Sequence, residues 1–101
     1  MENDESIIFH SEAFAELEQA HTWYEEQAPG IGDVFFQEVQ YAVARILETP
    51  DAWPVYSHGT KRFLLDRFPY AVFYRVKTGT VQVFAVMHLK RKPGYWNRRR
   101  F

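Results

Sequence analysis

The stretch KRFLLDRFPYAVFYRVKTGTVQVFAVMHL, residues 61–89, decides the fold class. Residues 61–68 alternate their side chains between two faces, and residues 70–77 are rich in β-branched and aromatic types, as β-strands are. Thr78-Gly79 provides the turn residues that a tight hairpin needs where φ is positive. The stretch therefore predicts three consecutive antiparallel strands, over residues 61–68, 70–77 and 80–89.

The last of these strands is largely apolar on both faces. Strict alternation places Val81, Val83, Ala85, Met87 and Leu89 on one face, and Gln82, Phe84, Val86 and His88 on the other. Strands that are apolar on both faces are typically covered on both sides. Residues 80–89 are therefore predicted to be a central strand of the sheet.

Two amphipathic helices precede these strands. Ser11 is the predicted N-cap of the first helix, whose apolar side chains recur at helical spacing until the break at Ala28-Pro29-Gly30. The second helix follows at once and runs to Thr49-Pro50. Because the break is so short, the two helices are expected to form an antiparallel hairpin that buries one face of each.

A short strand is predicted ahead of the helices, over residues 6–9. The predicted fold is α+β: an N-terminal strand, an antiparallel helical hairpin packed on one face of a mainly antiparallel sheet, and three C-terminal strands that complete the sheet. The residues expected in the core are Phe14, Leu17, Phe35, Val39, Ile46, Leu64, Phe73 and Val83.

Length and composition narrow the class of protein. The 101 residues support a single domain over residues 1–101, with residues 97–101 as a basic tail. The lack of Cys excludes disulfide scaffolds, thiol nucleophiles and Cys-ligated metals. No stretch is apolar for long enough to span a membrane, and the acidic start is unlike a signal sequence. We therefore expect a cytoplasmic protein without a membrane partner.

The near-zero net charge conceals a strong asymmetry along the chain. Residues 1–50 carry eleven acidic side chains and one basic side chain, whereas residues 51–101 carry eleven basic and two acidic ones. Folding will interleave the halves, but bases at strand ends would still leave a positive patch. Such a patch favours an acidic or phosphate-bearing partner.

Common cofactor and metal motifs are missing from the sequence. Gly30-Ile-Gly32 lacks the third glycine and the preceding strand of a dinucleotide site, and no P-loop spacing occurs. The four histidines show no close helical spacing that would bring two imidazoles to one metal. His21 lies on an apolar helix stripe, which favours a structural role over a ligand role. We therefore expect no cofactor and no metal.

Metal-free cleavage of RNA stays open, because Arg, Lys, His and Tyr side chains can bind a phosphate and move protons. The catalytic candidates are Lys61, His88, Arg91 and Tyr95. The candidates for binding a partner or target are Arg62, Arg67, Arg75, Lys90 and Trp96. Two other interpretations compete with catalysis. The bases and aromatics could bind nucleic acid without chemistry, or the charged strand ends could simply face solvent.

A specific series of motifs begins at Arg67-Phe-Pro-Tyr70. It continues with Tyr74-Arg75, His88, Arg91, Pro93 and Tyr95-Trp96. In this order the motifs resemble the RelE/ParE superfamily of type II toxin–antitoxin systems, and most closely its ParE-like, plasmid-stabilisation branch. The resemblance extends from about Ile7 to Trp96.

The resemblance implies a toxin that a cognate antitoxin neutralises, in a homodimer or a toxin–antitoxin hetero-oligomer. ParE-like members inhibit DNA gyrase without cutting nucleic acid, whereas the ribonuclease members cleave messenger RNA on the ribosome. A third interpretation is a domain that only binds a partner.

Some residues favour cleavage of RNA, and one argues against it. By resemblance, Arg91 would clamp the phosphate and Tyr95 would act as acid or base in a ribonuclease. Ala71 stands near the position of a further Arg of the ribonuclease members. Its side chain cannot stabilise a negatively charged transition state, which favours inhibition of gyrase over cleavage.

Overall fold

The computed structural model describes residues 7–101, which form a four-stranded sheet and two helices. The elements in chain order are β1 (Ile7–Phe9), α1 (Ser11–Gln27), α2 (Ile31–Glu48), β2 (Lys61–Leu64), β3 (Tyr70–Lys77) and β4 (Thr80–His88). The strand order is β1-β4-β3-β2, with β1 parallel to β4 and the other pairs antiparallel. The predicted α+β fold and the central position of the last strand are confirmed. Ser6, which was assigned to the first strand, lies outside the described residues.

The helices form the predicted hairpin on one face of the sheet. Gly30 has φ 91° and ends the break between them. A Cβ atom at Gly32 would lie 2.6 Å from the carbonyl oxygen of His21, so a glycine is needed where α2 approaches α1. The N-cap of α1 is His10 rather than Ser11: its Nδ1 accepts a hydrogen bond from the backbone N–H of Glu12 at 3.0 Å. Within residues 7–101, neither helix is both long and apolar enough to cross a membrane.

The core between the helices and the sheet contains most of the residues predicted for it. Leu17, Phe35, Val39, Ile46 and Val83 are buried there, and Phe73 is buried on the opposite face of the sheet. Two predictions are wrong.

Phe14 is 47 % exposed, because Ala13 and Leu17 are the α1 residues that turn toward the sheet. Leu64 is 48 % exposed, because it lies on the edge strand β2. It pairs there with Ala71, which faces away from the helices.

A β-bulge in β4 changes which side chains face the helices. Phe73 pairs with Ala85 and Tyr74 pairs with Val83, so Phe84 is an extra residue on β4. An extra residue shifts the alternation of the strand. Val86 therefore joins Val83 in the core under the helices, whereas Phe84 and Ala85 both belong to the second core. The predicted faces of residues 80–89 are wrong beyond this point.

Residues 90–101 cover the second face of the sheet. Trp96 is completely buried there, with its ring centroid 4.3 Å from that of Phe73. Phe101 packs edge-on against Phe84 with centroids 4.7 Å apart, so the basic tail folds back onto the sheet. A short segment without regular strands or helices thus seals a second core, which consists of Ala71, Phe73, Phe84, Ala85, Met87 and Trp96.

Candidate functional site

The C-terminal segment brings three side chains to one carboxylate on α1. Glu16 accepts two hydrogen bonds from the guanidinium of Arg99, at 3.2 Å on Oε1 and 3.1 Å on Oε2. The guanidinium of Arg91 lies 3.6 Å from Oε2. It also lies 3.6 Å from the ring centroid of Tyr95. We call Glu16, Arg91, Tyr95 and Arg99 the Glu16 cluster.

The cluster forms where β4 lacks a neighbouring strand. β1 pairs with β4 only as far as Val83. Beyond that point, Glu16 Oε1 accepts a hydrogen bond from the backbone N–H of Val86 at 2.9 Å, and Arg99 donates to the carbonyl of Phe84 at 2.7 Å. The two side chains therefore satisfy strand-edge groups that burial would otherwise leave unpaired.

Burial makes the ion pair of the cluster sensitive to the loss of either partner. The side chains of Glu16 and Arg99 are only 14 % and 10 % exposed. A buried ion pair is tolerated when both partners form enough hydrogen bonds. Glu16 and Arg99 form hydrogen bonds to each other and to backbone groups of β4. The cluster therefore anchors the C-terminal segment to α1.

Tyr95 is held in its protonated form. Burial of its hydroxyl and the neighbouring Glu16 carboxylate raise the pKa of Tyr95 well above its ordinary value, against the opposing effect of Arg91 and Arg99. A general base must be deprotonated at the working pH, and the ideal catalytic pKa lies near that pH. In this arrangement Tyr95 is poorly suited to act as a general base, and Arg91 already faces a carboxylate.

The other two catalytic candidates lie apart from this cluster. The ring of His88 packs against Tyr70 with centroids 5.0 Å apart, and its Nδ1 accepts a hydrogen bond from the backbone of Lys90 at 3.0 Å. Lys61 lies on the edge strand β2, where its Nζ is 3.8 Å from Asp51 and 3.5 Å from the carbonyl of Pro50. The structure thus brings together Arg91 and Tyr95 but engages His88 and Lys61 in separate local contacts.

A second cluster of hydrogen bonds lies just beyond the end of β2, which ends earlier in the chain than predicted. Glu38 on α2 accepts hydrogen bonds from the backbone N–H groups of Asp66 and Arg67, both at 3.1 Å, and from the Arg67 side chain. Burial raises the pKa of Glu38, but these hydrogen bonds outweigh it and hold the pKa below its usual value. The chain therefore leaves the sheet after Leu64, and the strand predicted over residues 61–68 is shorter than expected.

The outer side of β2 presents an exposed apolar surface with two cations. Adjoining grooves of about 760 and 590 Å³ share Tyr41, Phe63 and Leu64 in their walls. The guanidinium of Arg62 lies 3.9 Å from the centroid of Tyr56. We call this region the β2 surface; it is formed by Tyr41, Val55, Tyr56, Arg62, Leu64 and Arg67.

The remaining binding candidates occupy different places. Arg75 donates a hydrogen bond to the side chain of Gln82 at 2.9 Å and lies over the ring of Phe84. Lys90 is exposed directly after β4. Trp96 is buried in the second core, so its ring offers no surface to a partner in this conformation. Of the five candidates, Arg62 and Arg67 share one surface.

Sequence reasoning missed Glu16, Glu38 and Arg99. Acids of an amphipathic helix normally lie on its polar side, but Glu16 lies between the buried positions Ala13 and Ala20 at helical spacing. Glu38 likewise lies within the apolar stripe of α2. An acid at the border of an apolar stripe was the available signal for both.

A family comparison agrees with this architecture. The sequence model of one family, described as "ParE toxin of type II toxin-antitoxin system, parDE", matches residues 7–93. The chain belongs to the ParE toxin family. It is therefore a ParE-like toxin component of the type II toxin–antitoxin class, as the motifs of the second half had indicated.

A solved structure supports the ParE fold. The structure titled "Chromosomal ParDE TA system from P. aeruginosa" contains a chain that aligns with a TM-score of 0.63 and 19 % identity. The alignment covers 84 % of this chain and 96 % of that one. No curated protein sequence matches the chain. At this identity the structural likeness concerns the fold alone.

Proposed function

We propose that this ParE-family toxin acts in the cytoplasm by binding and inhibiting DNA gyrase, and that a cognate antitoxin neutralises it. The Glu16 cluster is the main observation that favours inhibition of gyrase over cleavage of RNA. Its carboxylate faces both Arg91 and Arg99, while Tyr95 is kept protonated beside it. Of the groups that the family resemblance would assign to cleavage, Tyr95 thus has a buried hydroxyl, and Arg91, although half exposed, is paired with a carboxylate of the protein itself.

Ala71 strengthens this choice. It is fully buried in the second core together with Trp96, so neither its side chain nor its position offers a cation to a bound phosphate. Loss of one preorganised contact to a developing charge reduces catalysis by about 10² to 10³. Efficient cleavage of RNA is therefore not expected from this chain.

The β2 surface is the proposed site for the antitoxin. Its exposed Tyr41 and Leu64 offer apolar contacts, and Arg62 offers positive charge beside them. Aromatic and aliphatic anchors supply most of the affinity of such interfaces, and charge complementarity mainly speeds association. The matching antitoxin segment would carry acidic residues next to apolar ones.

The target can be tested with two purified systems. We expect the toxin to block supercoiling by gyrase, the antitoxin to relieve this block, and messenger RNA on programmed ribosomes to stay intact. Arg91→Ala serves as the comparison: messenger RNA on programmed ribosomes should stay uncut with this variant, as it does with the unmodified toxin. Ribosome-dependent cleavage that Arg91→Ala abolishes, with gyrase unaffected, would overturn the proposal in favour of a ribonuclease. Inactivity in both systems would instead support a domain that only binds a partner.

A further inference from the structure

The turn between α1 and α2 gathers one imidazole and two carboxylates. His21 Nε2 and Asp33 Oδ1 are 3.0 Å apart, and one ligand atom from each of His21, Glu25 and Asp33 lies within 4.8 Å of the other two. His21 and Glu25 are four residues apart on α1, so they project from the same face of that helix. Asp33 comes from the first turn of α2.

We propose that His21, Glu25 and Asp33 bind one divalent transition-metal ion and thereby link α1 to α2. Imidazole nitrogen together with carboxylate oxygen suits zinc and its neighbours in the first row, whereas calcium and magnesium favour oxygen ligands alone. This site is separate from the β2 surface and from the Glu16 cluster, so the inference does not depend on the proposed inhibition of gyrase.

The distances are compatible with an ion after small side-chain movements. Two ligands of a tetrahedral zinc ion, each about 2.0 to 2.1 Å from the metal, lie about 3.3 Å from each other. His21 and Asp33 are already near this separation. The side chain of Asp33 is 73 % exposed, so it can rotate toward Glu25 without displacing core residues.

Glu25 is fixed in place by the backbone of the turn. Its Oε2 accepts a hydrogen bond from the N–H of Gly30 at 2.8 Å, and its Oε1 accepts one from Gly32 at 2.9 Å. Each carboxylate oxygen has a second lone pair, so a metal can bind while both hydrogen bonds remain. Hydrogen bonds of this kind orient metal ligands and are characteristic of the shell around a metal site.

No Lys or Arg side chain pairs with these acids in the described part of the chain. Within residues 7–101, neither Glu25 nor Asp33 forms an ion pair with Lys or Arg. Residues 1–50 contain a single basic side chain, Arg45, against eleven acids. The helical hairpin thus places a histidine in a region of negative charge, which favours a bound cation.

The sequence pattern does not predict this site. The histidines show no close spacing that would bring two imidazoles to one metal, and His21 lies on an apolar stripe that favours a structural role. The turn instead combines one imidazole with carboxylates from two helices. Asp33 is separated from His21 by twelve residues, so only the folded hairpin shows that they meet.

The test uses the untagged full-length chain after removal of metals with a chelator. Zn²⁺ is titrated in competition with a chromophoric chelator, and Co²⁺ is used as a spectroscopic substitute. We expect one Zn²⁺ per chain, visible Co²⁺ bands of a four- or five-coordinate site, and a higher Tm with Zn²⁺ than with Mg²⁺, since a ligand of the folded state alone stabilises it.

Two variants and one control identify the ligands. His21→Gln and Asp33→Asn should each weaken Zn²⁺ binding at least about tenfold. Loss of a group that only hydrogen-bonds to a metal ligand already lowers metal affinity by that factor, and loss of a ligand should lower it further. His58→Asn is the control: His58 is exposed, bonds to Ser57 and has φ 52°, a backbone region that Asn tolerates. Equal Zn²⁺ affinity in all three variants, loss of binding in His58→Asn alone, or no binding by the unmodified chain would each overturn the proposal.

Discussion

Glu16 connects parts of the molecule that are far apart in the sequence. Its carboxylate binds Arg99, 83 residues further along the chain, and the backbone of Val86 on the bulged strand. A single acid therefore joins α1, the open edge of β4 and the segment that covers the second core. A substitution at Glu16 therefore tests how much the packing of the C-terminal segment contributes to stability.

Replacement of Glu16 by Ala should strongly destabilise the protein. Removal of one partner from a buried pair leaves the other charge buried and uncompensated, which costs about 3–5 kcal/mol. Urea denaturation of the purified chain measures the free energy of unfolding. Glu18→Ala is the matched control, because Glu18 is exposed on the same helix and should change stability by less than about 0.5 kcal/mol.

A double-mutant cycle with Arg99→Ala separates the pair from other effects of the substitution. Residues that share a buried network show interaction energies of about 0.5–3 kcal/mol. If the effects of Glu16→Ala and Arg99→Ala simply add, the two side chains are not coupled and the description of the cluster is wrong.

At the level of secondary structure elements, close packing of α1 and α2 depends on Gly32. Gly→Ala within a helix ordinarily stabilises by about 0.5–1 kcal/mol, because alanine loses less conformational freedom. Here the added Cβ would lie 2.6 Å from the carbonyl oxygen of His21 and 2.8 Å from Oε1 of Glu25. The backbone contact cannot relax by a side-chain rotation, so the helices would have to move apart.

Gly32→Ala is therefore expected to destabilise the chain by about 1–3 kcal/mol, the usual cost of overpacking. Thermal or urea unfolding measures it, with Gln37→Ala as control because Gln37 is exposed on the same helix. An increase in stability for Gly32→Ala would show that the helices pack less closely than described.

The elements also show why the sequence predicted some features and not others. The two helices and the β3–β4 hairpin follow from local periodicity and from Thr78-Gly79, and both are confirmed, although α1 begins one residue earlier than predicted, with His10 as its N-cap. The bulge at Phe84 was not predictable, because the strand is apolar on both faces and an inserted residue leaves that pattern unchanged. Residues 90–101 have no periodicity, so the sequence pattern did not predict which face of the sheet they cover.

Some residues of the candidate site could be predicted from the sequence, and others could not. Arg91 and Tyr95 were found through the order of motifs in the second half, and the structure brings them together. Their carboxylate partner Glu16 was missed, because pairing over so long a separation is set by the tertiary fold rather than by the local sequence.

Across the whole molecule, the charge asymmetry of the sequence is partly cancelled by contacts between its halves. Glu16 binds Arg99 and lies close to Arg91, while Glu38 binds Arg67. Arg62 differs from these bases: among residues 7–101 it makes no ion pair, and its guanidinium lies over Tyr56. It therefore leaves positive charge on the β2 surface, next to exposed apolar side chains.

This arrangement predicts separate effects of charge and apolar contact on binding of the antitoxin. Arg62→Glu should slow association and weaken its dependence on salt, because the positive charge that steers an acidic partner is reversed. Leu64→Ser should mainly speed dissociation, since it removes an apolar contact that excludes water. Stopped-flow or surface-binding kinetics with the cognate antitoxin, over a range of salt concentrations, measure both rates.

Lys77→Glu is the control for these two variants. Lys77 is exposed at the end of β3 beside the hairpin turn, so it changes net charge by the same amount as Arg62→Glu without altering the β2 surface. If Lys77→Glu slows association as much as Arg62→Glu, only the net charge matters. If Leu64→Ser binds and dissociates like the unmodified chain, the antitoxin does not cover β2. The combination that supports the β2 surface is a slower on-rate for Arg62→Glu and a faster off-rate for Leu64→Ser, with Lys77→Glu close to the unmodified protein.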